Sequence, residues 1–247
     1  MARLMPTRRV LALFALPEEA KPFVRGYRDN KITGEIYGRR DITYAISGIG
    51  VKNAAKSLEP RFDTDLPIGC LIVCGFCGGL LETAEPGSLI LADKVTTEKE
   101  TFLPDVTLFA AAETLHLPDV KVQNGTLVTV DKVVTTAAEK RGLAARTGAI
   151  AVDMETAGAV RVAQERGIPW LAVRAITDGL NDELPLDFNA LANPDGSINR
   201  GRIIRATLAH PHKIPALIRL GQRSSLAANN LAAFLVAFLQ TLPENET

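Results

Sequence analysis

The chain has 247 residues, and its 28 Lys+Arg balance 28 Asp+Glu, so no net field draws it onto nucleic acid or an anionic membrane; small molecules or copies of itself are the expected partners. At 47% hydrophobic and 23% charged residues, disorder is excluded for the bulk of the chain. The three cysteines, at 70, 74 and 77, cannot form a complete set of internal disulfides, and a reducing, cytoplasmic setting is the simpler expectation.

Arg3, Arg8 and Arg9 precede an apolar run, Val10 to Leu16, in the manner of a signal peptide. The run is short for that role, and Pro17-Glu18-Glu19 follows it in place of a small-residue cleavage site, so it reads as a buried first strand, Val10 to Ala15. Further along, Ile42 to Ile46, Leu71 to Cys74, Ser88 to Leu91, Thr126 to Val130, Ala149 to Val152 and Leu171 to Ile176 read as strands. Glu18 to Tyr27, Val51 to Leu58, Thr136 to Arg146 and Met154 to Arg166 read as helices between them. Such alternation predicts one α/β domain over residues 1–247, and strands apolar along their whole length predict a sheet covered on both faces. The polar stretch 180–202 is expected to be a long loop, and 203–242 to be helices packed on the same domain. Leu226 to Leu239 is interrupted by Asn229-Asn230 and falls short of the ~20 apolar residues a spanning helix needs, so no membrane span is expected. The sequons at Asn124 and Asn245 matter only in a secreted protein and read as chance matches.

In open α/β sheets ligands bind beyond the carboxyl ends of the strands, which selects five places: Glu18-Glu19, Ser47-Gly48-Ile49-Gly50, Gly75 to Gly79, Asp153-Met154-Glu155 and Thr177-Asp178. Either glycine cluster alone reads equally well as a tight turn, and Ser47 to Gly50 lacks the third glycine of a dinucleotide fingerprint. Cys70, Cys74 and Cys77 have the spacing of a three-cysteine iron–sulfur site, which makes a radical enzyme one alternative. Placed around a buried strand, they read better as core residues. His116, His210 and His212 lack metal-ligand spacing or a nucleophile partner and read as surface or structural residues; neither a metal nor a tightly bound cofactor is expected. Glu19, Glu155 and Asp178 remain, each unremarkable alone as a solvated or capping carboxylate. Three carboxylates at one sheet edge suit glycosidic bond cleavage, where one group protonates the leaving group and another manages water or sugar hydroxyls around a cationic sugar.

These segments, Ala15-Leu-Pro-Glu-Glu19, Ser47-Gly-Ile-Gly50, Gly75-Phe-Cys-Gly-Gly79, Val152-Asp-Met-Glu155 and Val173-Arg-Ala-Ile-Thr-Asp178, resemble in this order the nucleoside phosphorylase family and, within it, the 5′-methylthioadenosine/S-adenosylhomocysteine nucleosidase branch. Leu-Asp-Phe-Asn-Ala-Leu at 186–191 and the tail after it resemble the hopanoid-associated subgroup, for which removal of adenine from adenosylhopane is the implied reaction. The resemblance implies a three-layer αβα sandwich around a mixed, partly barrel-like sheet, a homo-oligomer, and a purine nucleoside, here a 5′-modified adenosine, as substrate. It implies Asp178 as the acid that protonates the purine, Glu155 and Met154 as the ribose holders, and Glu19 as the residue that orients the attacking water. Val133 and Val134 would lay backbone beside the base, with Ser47, Phe76 and Gly78 completing the binding site.

Two departures bear on the acceptor. Glu19 stands where the hexameric phosphorylases carry an arginine that grips phosphate, which favours water over phosphate as the co-substrate. Phe76 stands where relatives have Ser or Thr, making that corner more apolar. A non-catalytic nucleoside-binding protein on the same fold is the remaining alternative, against which the intact Asp178 and Glu155 argue.

Overall fold

In the computed structural model, which describes residues 9–29, 42–62, 67–186 and 211–242, every described strand joins one sheet. The strands are β1 (Arg9–Phe14), β2 (Ile42–Ile46), β3 (Ile68–Gly79), β4 (Leu89–Thr96), β5 (Thr101–Phe102), β6 (Val122–Thr129), β7 (Ala151–Asp153) and β8 (Trp170–Asp178). The helices are α1 (Pro17–Asp29), α2 (Val51–Leu58), α3 (Val106–Glu113), α4 (Ala137–Thr147), α5 (Thr156–Glu165) and α6 (Ile214–Thr241). The strand order is β2-β1-β3-β7-β6-β4-β5, and β8 pairs with both β3 and β4. β8 thereby closes β3, β7, β6 and β4 into a ring, with β1 and β2 extending the sheet beyond β3. Pairing is parallel in β1/β2, β1/β3, β3/β8, β4/β6 and β6/β7 and antiparallel in β3/β7, β4/β8 and β4/β5, so the sheet is mixed, as expected.

Two apolar layers sandwich this sheet. On one side Ala20 and Phe23 of α1, Leu108 and Ala112 of α3 and Phe234 and Phe238 of α6 pack on Ala12, Phe14, Ile72 and Val173. On the other, Ala54 and Leu58 of α2 and Ala157 and Val160 of α5 pack on Leu11, Leu13, Leu71 and Ala172. Successive strand residues point to opposite faces, so a strand buried in this way must be apolar throughout, as Val-Leu-Ala-Leu-Phe of β1 is. Helix boundaries follow local chemistry. α1 begins with Pro17 and carries Glu18 and Glu19 in its first turn, where the helix dipole favours negative charge. α4 begins with a Thr136/Glu139 capping box and ends at Gly148, whose φ is 67°.

β3 does not stop at Cys74 but runs through Gly79, so the expected glycine turn is instead the second half of a strand held by β8 and β7. β8 likewise runs on to Asp178, and α5 starts at Thr156, leaving Met154 and Glu155 in the connection. β5 and α3 have no counterpart in the sequence reading. α3 is signalled by Pro104-Asp105, since the Asp105 carboxylate caps it by accepting from Thr107 N at 2.9 Å and Leu108 N at 3.0 Å.

Of the expected 180–202 loop and 203–242 helices, residues 187–210 lie outside the described residues, as do Arg3, Arg8, His210 and Asn245. α6 continues through Asn229-Asn230, and Asn230 Nδ2 donates to Gly87 O at 2.7 Å. Among the described residues, no helix is long and apolar enough to cross a membrane.

Candidate active site

A cavity of about 230 Å³ opens at the carboxyl ends of β1, β3, β7 and β8. Ala15, Leu16 and Glu19 enter it from the β1/α1 junction, Phe76, Cys77 and Gly78 from β3, and Asp153, Met154 and Glu155 from the β7/α5 junction. Thr177 and Asp178 at the end of β8, Val133 and Val134 before α4, and Leu220 and Ser224 of α6 line it too, together with Lys132, Ile49, Val130, Val152 and Leu184. Of the residues singled out in the sequence, the fold therefore brings together Glu19, Phe76, Gly78, Val133, Val134, Met154, Glu155 and Asp178. Ser47 is not among the lining residues: its hydroxyl donates to Gly48 O at 2.8 Å and Phe14 O at 3.3 Å, which closes the loop after β2.

One corner is built on Glu19, 3% exposed. Its Oε2 accepts from Ala15 N and Leu16 N, both at 2.8 Å, and its Oε1 from Phe76 N at 2.8 Å. Burial pushes the Glu19 carboxyl up, and Arg174 together with these three N–H donors only partly offsets it. Nearby, Glu155 Oε1 accepts from Gly50 N at 3.0 Å, and burial lifts its carboxyl to about 7. Arg174 sits beneath both, 1% exposed. It pairs with Asp153 Oδ2 at 2.6 Å, donates from Nη2 and Nε to Thr156 Oγ1 at 2.7 and 2.9 Å, and lies 3.7 Å from Glu155. Asp153 is fixed further by the Thr129 hydroxyl at 2.6 Å and Thr156 N at 2.9 Å. One guanidinium thus serves Asp153, Glu155 and Glu19. Burial outweighs what that shared cation supplies, so the Glu19 and Glu155 carboxyls stay raised.

A second corner is built on Asp178, 7% exposed, which stands in register with Gly78 of β3. A Cβ at Gly78 would lie 3.2 Å from Asp178 Oδ2. Asp178 Oδ1 accepts the Thr177 hydroxyl at 2.8 Å, and Oδ2 accepts from Lys140 Nζ at 2.5 Å. Lys140, on α4, is fully buried and was not singled out in the sequence. The relevant signal is a lysine one residue after the capping-box glutamate, indistinguishable in sequence from an exposed helix lysine.

The cysteine alternative fails on strand geometry. Cys70 and Cys74 pack in one apolar layer and Cys77 in the other, so three thiolates cannot converge on one cluster. Burial pushes Cys70 up to about 12 and the other two well above their ordinary value, and all three are free thiols. Among the described residues, no group of three or more His, Cys, Asp or Glu is placed to hold a metal. His116 and His212 are exposed.

A closed mixed sheet with three carboxyl side chains lining one small cavity at its strand ends defines a class of α/β fold. Residues 4–209 match the family model described as the phosphorylase superfamily, and the chain belongs to that superfamily. It is 23% identical, over 178 residues, to the 5′-methylthioadenosine/S-adenosylhomocysteine nucleosidase of Shewanella halifaxensis (strain HAW-EB4), covering 64% of this chain and 76% of that one. A protein of the same name from Exiguobacterium sp. (strain ATCC BAA-1283 / AT1b) is 26% identical over 193 residues, 68% of this chain and 80% of its own. Among solved structures, the futalosine hydrolase of Helicobacter pylori strain 26695 superposes with a TM-score of 0.72 at 17% identity, over 96% of this chain and 99% of that one. The 5′-methylthioadenosine/S-adenosylhomocysteine nucleosidase from S. pneumoniae gives 0.70 at 21% identity, over 95% and 100%. At these identities the structural likeness speaks for the fold.

Proposed function

We propose that the protein cleaves the N-glycosidic bond of a purine nucleoside, an adenosine modified at its 5′ position, with water as the acceptor. The observation that carries this reading is that Glu19, Glu155 and Asp178 line a single cavity. Departure of the base leaves an oxocarbenium-like sugar, which two carboxylates stabilise while an acid protonates the leaving group. Asp178 is that acid, beside the Val133-Val134 backbone on which the base lies. Glu155 takes the ribose hydroxyls, with the Met154 thioether packed on the sugar. Glu19 accepts the proton of the attacking water, and its three backbone donors hold its oxygens in place for that step.

Water is favoured over phosphate because Arg174, the cation at this corner, is already committed to Asp153 and Thr156. A phosphate dianion there would meet the charge that Glu19 and Glu155 carry, with Lys132 as the cation on the described cavity wall. The names of the relatives support a nucleosidase reading, and Phe76, Leu16 and Leu220 on the cavity wall support an apolar 5′ group. An adenosylhopane-like substrate rests on the 186–191 resemblance, of which only Leu186 lies within the described residues. A cytoplasmic setting is supported by the three free buried thiols, and a homo-oligomer by the family resemblance alone.

The test is incubation with a panel of 5′-substituted adenosines, with and without phosphate, and identification of both products. Free base and free sugar without phosphate are expected. Strict phosphate dependence with a ribose 1-phosphate product overturns the choice of acceptor, and no cleavage of any nucleoside overturns the reading.

A further inference from the structure

Lys140 is fully buried, and each of its three ammonium donors has one acceptor: Asp178 Oδ2 at 2.5 Å, Gly179 O at 2.6 Å and Asp182 O at 3.1 Å. Asp178 Oδ1 meanwhile accepts the Thr177 hydroxyl. An ammonium facing a carboxylate satisfies all three contacts, and so does a neutral amine that donates to the two carbonyls and accepts from a protonated Asp178, so the pair can hold its proton on either atom. A carboxylate, however, has no proton to give a departing base. Of the three acceptors around Lys140, two are main-chain carbonyls, and only Asp178 can take up a proton.

We propose that Lys140 is a positioning residue of the reaction, which acts through Asp178 by supplying the proton that Asp178 delivers to the leaving base. The inference rests on the nucleoside-cleaving reading above. A proton passes from Lys140 Nζ to Asp178 Oδ2, and the resulting acid gives it to a ring nitrogen as the electron pair of the N-glycosidic bond moves onto the base. Lys140 is left a neutral amine whose two remaining N–H groups stay on the Gly179 and Asp182 carbonyls, so the turn after β8 keeps its hold throughout the cycle. When the base departs, solvent entering the cavity returns a proton to Lys140.

The other ionisable groups around the pair are occupied elsewhere. The Asp182 carboxylate accepts from Gly179 N at 2.8 Å and pairs with Arg223 of α6 at 2.8 Å. Cys77, from β3, is kept an uncharged thiol by burial. On α4 itself, Glu139 is tied to the helix start through Thr135 and Thr136.

The experiment compares wild type, Lys140→Arg and Lys140→Met on the nucleoside that wild type cleaves best, as kcat and KM across the neutral and alkaline range. Lys140→Arg keeps a cation on Asp178 but one that does not surrender its proton, so kcat falls by at least ~10²-fold while KM stays within about threefold. In Lys140→Met the proton must come from solvent, and the residual rate falls by roughly tenfold per pH unit where wild type is flat. A purely structural role predicts the opposite: near-full activity in the arginine variant and parallel pH profiles in all three proteins. Either of those results overturns the proposal. If neither variant folds, the wild-type profile decides alone, since a rate that rises with pH through the alkaline range, where an ammonium donor is lost, overturns it too. Wild type inactive on every nucleoside removes the underlying reading, a result distinct from any difference between variants.

Discussion

Gly75 and Arg174 face each other in register across β3 and β8, and the missing side chain of the one is the space occupied by the guanidinium of the other. A Cβ at Gly75 would collide with Arg174 Nη1 and stand 2.9 Å from Glu19 Oε1. The backbone there has a φ of 151°, which strains an L side chain. Gly75→Ala is expected to destabilise the fold by about 1–3 kcal/mol, as overpacking does, and to displace the Glu19 corner. A thermal melt and kcat measured together check this; wild-type values of both would show that Arg174 can retract without consequence.

Asp178→Asn should bind nucleoside and lose turnover by roughly 10²–10⁴-fold, since the amide keeps the shape without an acidic proton. It also leaves the buried Lys140 ammonium without a countercharge, so its melting temperature should fall as well. Single-turnover rates at saturating substrate, below the melt, separate the two effects. Retention of more than about half the wild-type rate would remove Asp178 from the acid's role.

Glu155 gives a pH prediction with a definite sign. Its carboxyl is lifted by burial to about 7, above the ~4.3 of an unfolded glutamate, so the folded state holds the proton more tightly. Its contribution to stability is complete below the unfolded value and is lost as pH rises through about 7. Glu155→Gln removes this dependence, and the variant should gain in melting temperature relative to wild type between about pH 5 and 8. Parallel melting curves across that range would refute the assignment.

The same substitution bears on substrate. A charged acceptor to a ribose hydroxyl contributes about 1.5–3 kcal/mol, so Glu155→Gln should impair ribonucleosides more than their 2′-deoxy counterparts. Equal losses in kcat/KM for the two sugars would show that Glu155 does not hold the 2′-hydroxyl.

For Glu19→Gln a large fall in kcat is expected, with free ribose still the product from any residual turnover. An amide accepts through one oxygen only, so at least one of the donors Ala15 N, Leu16 N and Phe76 N loses its partner, adding a destabilisation of about 1–3 kcal/mol. Undiminished kcat in a folded variant would return Glu19 to a structural part.

The elements of this protein are legible in its sequence because helix and strand signals are local. The run Val10 to Phe14 must be a buried strand, Val51 to Leu58 forms a helix with the bounds its pattern predicts, and carboxylates at strand ends fall where an α/β sheet places ligands. What joins distant strands is not local. Residues 75–79 read as a turn because glycines punctuate chains, yet β8 and β7 hold them as strand, and it is β8 bridging β3 and β4 that closes the sheet. The cysteine spacing is likewise ambiguous until the pleat sends Cys77 to the face opposite Cys70 and Cys74. The sequence by itself thus determined the class of fold and the carboxyl side chains that line the cavity. Only the tertiary structure decided their electrostatics, because Arg174 beneath Glu19 and Glu155, and Lys140 against Asp178, are pairings between separate elements. At that range the energy of a charge is set by burial and by the few ångströms to its partner.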